Sequence, residues 1–303
     1  MEYSLRDLFK KYYGIEHPDI YTQMIQRRTN ISGKYILENI LIGGDIKTFM
    51  YDGIEYKYDI YKKKEDDTNR LFIKSLNSKS NSLNIDFDNC AQLTFTSKSD
   101  EIYVESINGL KGCVKTNLKN IKNIDKQGTM IMYAIIDYAK KYKFKRIKLD
   151  DISKIYCKNG KTKLSFSLYI AHTLMYGYSW YCKFNFKYLL ESNNQIIKKN
   201  KKLMDTLMTK DIAFDVIIKL ITNYIITERA IMLFDFTDFI NDIDKLTDIY
   251  RLNYNNKAYD FFKDFTRECC NLFSMIDVKL AVSLGIELID TMSKDNNMIL
   301  DLQ

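Results

Sequence analysis

The chain of 303 residues holds a single proline, Pro18, and only 11 glycines. That scarcity excludes collagen-like, proline-rich and glycine/serine-linker architectures. Histidine is nearly missing, with His17 and His172 the only two. A histidine-based triad or a histidine-rich metal site is therefore not expected. An uncharged apolar run long enough for a bilayer is missing too. The longest apolar stretch, 212–236, carries Asp215, Lys219, Glu228, Arg229 and Asp235, and reads as buried helix with no membrane role. The six cysteines form no CxxC pair, and the adjacent Cys269 and Cys270 are badly placed to bond each other. The opening Met-Glu-Tyr-Ser-Leu-Arg lacks the marks of a secretory signal. Reduced thiols and a cytoplasmic, intracellular setting are the expectation.

What is present is globular in kind. Apolar residues make up 46% and charged residues 28%, enough for a packed core. Aromatic residues are plentiful, with 23 tyrosines and 17 phenylalanines. The net charge of +7 is small, but its distribution is uneven. Between Lys111 and Lys163 stand 15 basic and 4 acidic residues; between Asp211 and Gln303 stand 9 basic and 16 acidic. A basic middle suits an anionic ligand, and the acidic end suits a separate partner surface. The two surfaces attracting each other is the plainer account.

Periodicity divides the chain into three. In the first part, 1–45, Leu5, Leu8, Phe9, Tyr12 and Tyr13 recur at helical spacing, with Ser4 as N-cap and Gly14 as stop. A second helix is expected over 19–28. In the second part, 46–190, the period falls to two. Strands are expected at 48–51, 54–61, 71–76, 83–87, 92–96, 101–107 and 110–115, with Asp52-Gly53 and Asn108-Gly109 as hairpin signals and a turn over 62–69. A helix opened by Gly128 then runs to about Lys141, a strand covers 144–149, and a helix covers 164–176, closed by Gly177. In the third part, 191–303, everything reads as helix, with segments near 194–209, 211–232, 235–251, 256–275 and 277–293. The fold class expected is α+β: a mixed, mostly antiparallel sheet flanked by helices, followed by an all-helical domain.

The block from Leu110 to Phe186 carries the most specific wording. Gly128-Thr129-Met130-Ile131-Met132, then Tyr138-Ala139-Lys140-Lys141, then Lys145-Arg146-Ile147-Lys148-Leu149-Asp150 resembles the coenzyme-binding helix and following strand of the GCN5-related N-acetyltransferase family. Tyr181-x-Lys183-x-Asn185-Phe186 is similar to its closing Tyr-x-Lys-x-Gly-Phe run, with Asn185 in place of glycine. The Ser179-Trp180-Tyr181 phrasing is reminiscent of acetyltransferase-like proteins of large DNA viruses, which implies a viral protein of a viral factory or virion. The resemblance covers about 75 residues well and extends over roughly 50–190 by strand order. The coenzyme loop departs from the family pattern, since Gly128 is its one small residue.

The resemblance implies acetyl-CoA as co-substrate, held by Lys122, Lys126, Gln127, Gly128 and Thr129. The physical basis is general. A helix N-terminus offers unpaired backbone N–H groups and the positive end of its dipole to a pyrophosphate. Tyr181 takes the position of the general acid that protonates the leaving thiolate, and Glu105, on a preceding strand, the place of a base for the incoming amine. On residues alone the plainer readings are Thr129 as a helix cap, Tyr181 as one of many tyrosines, Glu105 as a solvent-facing acid, and His172 as a core histidine. Asp150-Asp151 at a strand end suits a cation or a substrate amine, or more plainly a turn cap. Two other functions stay open: an inactive acetyltransferase-like fold serving as a structural, virion or interaction protein, and a nucleic-acid binder. The latter would use the lysines of 111–163 interleaved with Tyr133, Tyr138, Tyr142, Phe144 and Tyr156.

Overall fold

The structure is a computed structural model that describes residues 42–302 except 66, 77–88, 109–111, 117–126, 158–163, 228–235, 292 and 294–295. The expected helices of the first 41 residues, the expected strand at 83–87, and Lys122 and Lys126 lie outside the described residues.

Alternating sequence builds a mixed, mostly antiparallel sheet. β1 (Ile42–Tyr51) and β2 (Ile54–Glu65) meet at Asp52-Gly53, both with positive φ (52° and 73°), the geometry that a two-residue hairpin needs. β3 (Thr68–Lys74), β4 (Asn89–Thr96) and β5 (Glu101–Ile107) continue the meander, and β6 (Val114–Thr116) pairs with β2. The turn expected over 62–69 is far tighter, because Lys62 to Glu65 pair directly with Leu71 to Thr68. Helix α1 (Gln127–Lys141) then crosses over, and β7 (Arg146–Leu149) returns parallel to β5, the one parallel pair among the described strands. Inward residues Tyr58, Ile60, Leu71, Ile73, Leu93, Ile102, Val104, Ile147 and Leu149 share one buried core with Ile131, Ala134, Ile135 and Tyr138 of α1. The helical stripe of α1 and the period-two stripe of the strands thus cover each other.

Beyond β7 the expectations need correction. A short hairpin of β8 (Lys154–Tyr156) and β9 (Ser165–Ser167) precedes α2 (Leu168–Tyr176), so the helix starts four residues later than its expected start at Leu164. Ser167 fixes that start by accepting the backbone N–H of Ile170. Gly177 closes α2 at φ 77°, as expected, and an added Cβ would stand 2.3 Å from the Cα of Lys201. A 3-10 turn, Trp180–Phe184, leads to β10 (Lys187–Tyr188).

Helices α3 (Glu191–Thr206), α4 (Phe214–Thr227), α5 (Phe236–Asn253), α6 (Ala258–Glu268) and α7 (Cys270–Ser283) follow, making seven among the described residues. The single helix expected over 256–275 is two, broken at Cys269, whose backbone (φ −123°, ψ 46°) is not helical. The helix expected over 277–293 ends at Ser283, where Gly285 takes φ 76°. The expectation that everything after Glu191 is helical also fails. β11 (Met298–Asp301) re-enters the sheet between β7 and β10, pairing Met298 with Leu149 and with Tyr188. The helices are therefore a long excursion between two neighbouring strands. Their core is continuous with the sheet's: Phe273 of α7 stands edge-on to Phe166 of β9 at 4.9 Å.

The reduced-thiol expectation is overturned as well. Cys90 bonds Cys113, and Cys157 bonds Cys270, while Cys182 and Cys269 are free thiols. The partners lie 23 and 113 residues apart and meet only through the fold, so spacing could not reveal them. No described helix is long and apolar enough to cross a membrane.

Candidate active site at the parallel strand pair

β5 and β7 run side by side from Glu101/Arg146 to Val104/Leu149 and then part. β5 continues to Ile107 along β4, whereas β7 ends and the chain leaves through Asp150 and Asp151. A bulge makes the parting sharper: Leu93 faces Val104 but Gln92 faces Ser106, so Glu105 is the extra residue. The gap between 105–107 and 150–153 opens beside the N-terminal end of α1, the general location for ligands at the carboxyl ends of parallel strands.

The α1 N-terminus is anchored on one side and covered on the other. The Gln127 side chain accepts the Val114 N–H at 3.1 Å and donates to the Val114 carbonyl at 3.3 Å. This pins the helix start to β6 and engages both ends of the amide. The first turn of α1 carries no carboxylate, so its positive pole is not cancelled. From the other side, the Lys183 ammonium donates to the Thr129 hydroxyl at 2.9 Å and lies 4.1 Å above the Trp180 ring. The indole borders Gly128, 3.8 Å from where a Cβ would be. Protein packing therefore does not require glycine at position 128, where a Cβ would make only ordinary contact with the indole. A phosphate fits this first turn: backbone donors, no acid, and one lysine already in place.

Tyr181 faces the β7 side of the gap. It is 3% exposed, and its hydroxyl shares a 2.7 Å hydrogen bond with the Ser153 Oγ. Burial, reinforced by the nearby Asp151 carboxylate, holds its hydroxyl well above the ordinary tyrosine range. Ser179 caps the 3-10 turn through the Tyr181 N–H, and Asn185 closes it at φ 69°. Asparagine therefore does take the left-handed role that its place in the signature implies.

Asp151 is fully buried, and burial pushes its carboxyl up to about 6, only partly offset by the Ser179 and Tyr188 hydroxyls. Tyr188 donates to Oδ2 at 3.2 Å. Asp150 is instead held across the strand pair, accepting from the Tyr103 hydroxyl at 2.5 Å. Glu105 is exposed and accepts from the Gln92 side-chain amide. Burial lowers His172 to about 4, and its Nδ1–H donates to the Tyr178 carbonyl at 2.8 Å, a satisfied core histidine. The structure thus brings Gln127, Gly128 and Thr129 together with Lys183. It gives Tyr181 and Glu105 separate partners. The sequence reading missed Ser153 and Tyr103 and gave Lys183 no role. Only its place in the Tyr-x-Lys run pointed to it.

Among the described residues, several cations of the basic block are paired within the fold. Lys141 pairs with Asp137, Lys145 with Asp100, and Arg146 and Lys148 with Glu101. Tyr133 is spent in a stack on Tyr51 at 4.2 Å, and Tyr156 is exposed, whereas Tyr138, Tyr142 and Phe144 gather at the other end of α1. Among the described residues, no cluster of histidine, cysteine, aspartate and glutamate is placed to hold a metal. Compared with known protein families, with curated proteins and with solved structures, the chain matches none.

Proposed function

We propose that the chain is an acetyltransferase-like protein that binds acetyl-CoA at the start of α1 and transfers its acetyl group to an amine. One observation carries the reading: the crossover from β5 to β7 puts the N-terminus of α1 beside the gap where the strands part, with Lys183 laid across it. The first-turn N–H groups and Lys183 hold the pyrophosphate. The free strand edges of 105–107 hydrogen-bond the pantetheine arm. In the reaction, the amine nitrogen attacks the acetyl carbon and the carbon–sulfur bond breaks. The Tyr181 hydroxyl gives its proton to the departing sulfur, and Glu105 takes a proton from the amine. Burial keeps Tyr181 protonated at neutral pH, as an acid must be.

A second reading is favoured by the engagement of Tyr181 with Ser153 and of Gln127 with Val114. In it, the same fold is a structural, virion or interaction protein, and the acidic C-terminal helices are its partner surface. The setting read from the sequence is intracellular, in the cytoplasm, a viral factory or a virion; there, two disulfides require an oxidising partner. Thermal unfolding with and without acetyl-CoA separates the readings. A rise in midpoint that saturates with ligand supports the enzyme. An unchanged midpoint at millimolar ligand rejects it.

A further inference from the structure

The carboxyl end of α1 is about 22 Å from its start, at 1.5 Å per residue over 15 residues. There a cleft of about 570 Å³ opens between α1, the β4–β5 turn and β2. This volume lies within the range of small-molecule sites. Its floor is the sheet, at Ile60 and Leu71. One wall is Tyr142, stacked on Tyr138 at 4.3 Å with the planes 30° apart. Tyr138 is buried while Tyr142 is 51% exposed, so Tyr142 offers a ring backed by a fixed one. The Lys47 ammonium, bonded to Asp45 at 2.5 Å and facing the Tyr142 hydroxyl, steadies that ring from β1. The opposite wall is Phe95 edge-on to Phe144 at 5.0 Å.

Charge decides what such a cleft takes. Its two carboxylates are neutralised within the fold, Asp45 by Lys47 and Asp100 by Lys145 at 2.9 Å. Three further lysines line it: Lys62, Lys98 and Lys143. None of the three has a carboxylate partner among the described residues; Lys62 instead lies over Phe95 at 5.7 Å. The α1 carbonyls that point this way oppose an anion. Those of Ala139 and Lys140 accept backbone N–H groups, from Phe144 at 3.0 Å and from Lys143 at 3.1 Å, and Lys140 and Lys141 sit in the last turn.

Lys143 is the second observation. It occupies the position after the helix end at φ 59°, where glycine is the usual residue and a side chain is strained. Strain held at a site is a mark of function when the residue brings a chemistry that the relaxed one lacks. Here the chemistry is a cation at the cleft mouth.

We propose that this cleft binds a nucleotide, with its base stacked on Tyr142 and its phosphate held by Lys62, Lys98 and Lys143. Stacking on an aromatic side chain accepts any base, and unpaired lysines accept any phosphate. The same chemistry is presented by a free mononucleotide and by an exposed base of a single strand.

Calorimetric titrations of the full chain with AMP, with ATP and with an oligothymidylate of about 15 nucleotides test the proposal and tell the two sources apart. Saturable binding of at least one probe is expected. Tyr142→Ala should weaken it at least about tenfold, and the Lys62→Ala, Lys98→Ala pair about tenfold with a shallower salt dependence. Lys143→Gly should weaken binding while raising the thermal midpoint, so a folding defect cannot account for the loss. Lys279→Ala, on the exposed surface of α7, should leave binding unchanged. No binding of any probe at millimolar concentration overturns the proposal. So does binding that is indifferent to Tyr142→Ala, or that is lost in Lys279→Ala.

Discussion

The Lys183 ammonium reaches the Thr129 hydroxyl at 2.9 Å across 54 residues of sequence. That bond ties the turn after α2 to the start of α1. It puts a cation at the point where backbone N–H groups are unpaired and the dipole is positive. In the proposed acetyl-CoA site this juncture matters more than any one glycine.

Tyr181 and Ser153 should separate chemistry from structure. Tyr181→Phe removes the 2.7 Å bond to Ser153 and the proposed proton donor. Its turnover with a competent amine should fall by roughly 100-fold or more while acetyl-CoA affinity stays within a few-fold. Ser153→Ala should cost about 1 kcal/mol of stability and leave turnover within tenfold. Equal turnover in Tyr181→Phe and the parent protein removes Tyr181 from the mechanism.

Asp151 and His172 should give opposite pH signatures. The folded Asp151 binds its proton more tightly than an unfolded one, about 6 against 3.8. Its contribution is full below about pH 4 and is lost as pH rises through 6. Folded His172 binds its proton more weakly, about 4 against 6.5. Its contribution is present above pH 6.5 and is lost as pH falls towards 4. Each effect is on the order of 3 kcal/mol, and the two oppose each other over pH 4–6. Denaturant titrations should show Asp151→Asn gaining relative to the parent as pH rises from 4 to 6. His172→Asn should gain as pH falls from 6.5 to 4. Parallel curves would contradict the burial of both groups.

The disulfides are open to direct chemistry. Alkylation of the unfolded, unreduced chain should label two cysteines, Cys182 and Cys269, out of six. The Cys157–Cys270 bond closes a loop of 113 residues, so the double serine variant should lose about 5 kcal/mol. The Cys90–Cys113 bond closes 23 residues and is worth about 3 kcal/mol on the same scale. Six labelled cysteines would restore the reduced-thiol expectation.

Gly177→Ala should destabilise the chain by more than about 2 kcal/mol, because positive φ and a 2.3 Å approach to the Lys201 backbone act together. Gly128→Ala should cost well under that in stability, since its Cβ would meet only the Trp180 ring at 3.8 Å. Comparable losses in both would contradict the contrast between the two sites.

The legible parts of the fold were those that local pattern dictates. The Asp52-Gly53 hairpin, the alternation of β2 and β5, the apolar stripe of α1 and the stop at Gly177 each follow from neighbouring residues. The rest depends on partners far away in sequence. β11 has four residues and exists because Met298 finds Leu149 and Tyr188. The break between α6 and α7 falls where Cys270 is held by Cys157. At the site, the motif named Tyr181, Gly128 and Thr129, but that Lys183 serves Thr129 while Tyr181 turns to Ser153 is tertiary information.

The most direct test is a calorimetric titration of acetyl-CoA into the parent chain and into Lys183→Ala. Saturable binding by the parent, weakened roughly 10-fold or more in Lys183→Ala by loss of a charge-assisted phosphate contact, is the expected result. Absence of heat at millimolar acetyl-CoA, or equal affinity in the two proteins, would contradict a coenzyme site at the start of α1.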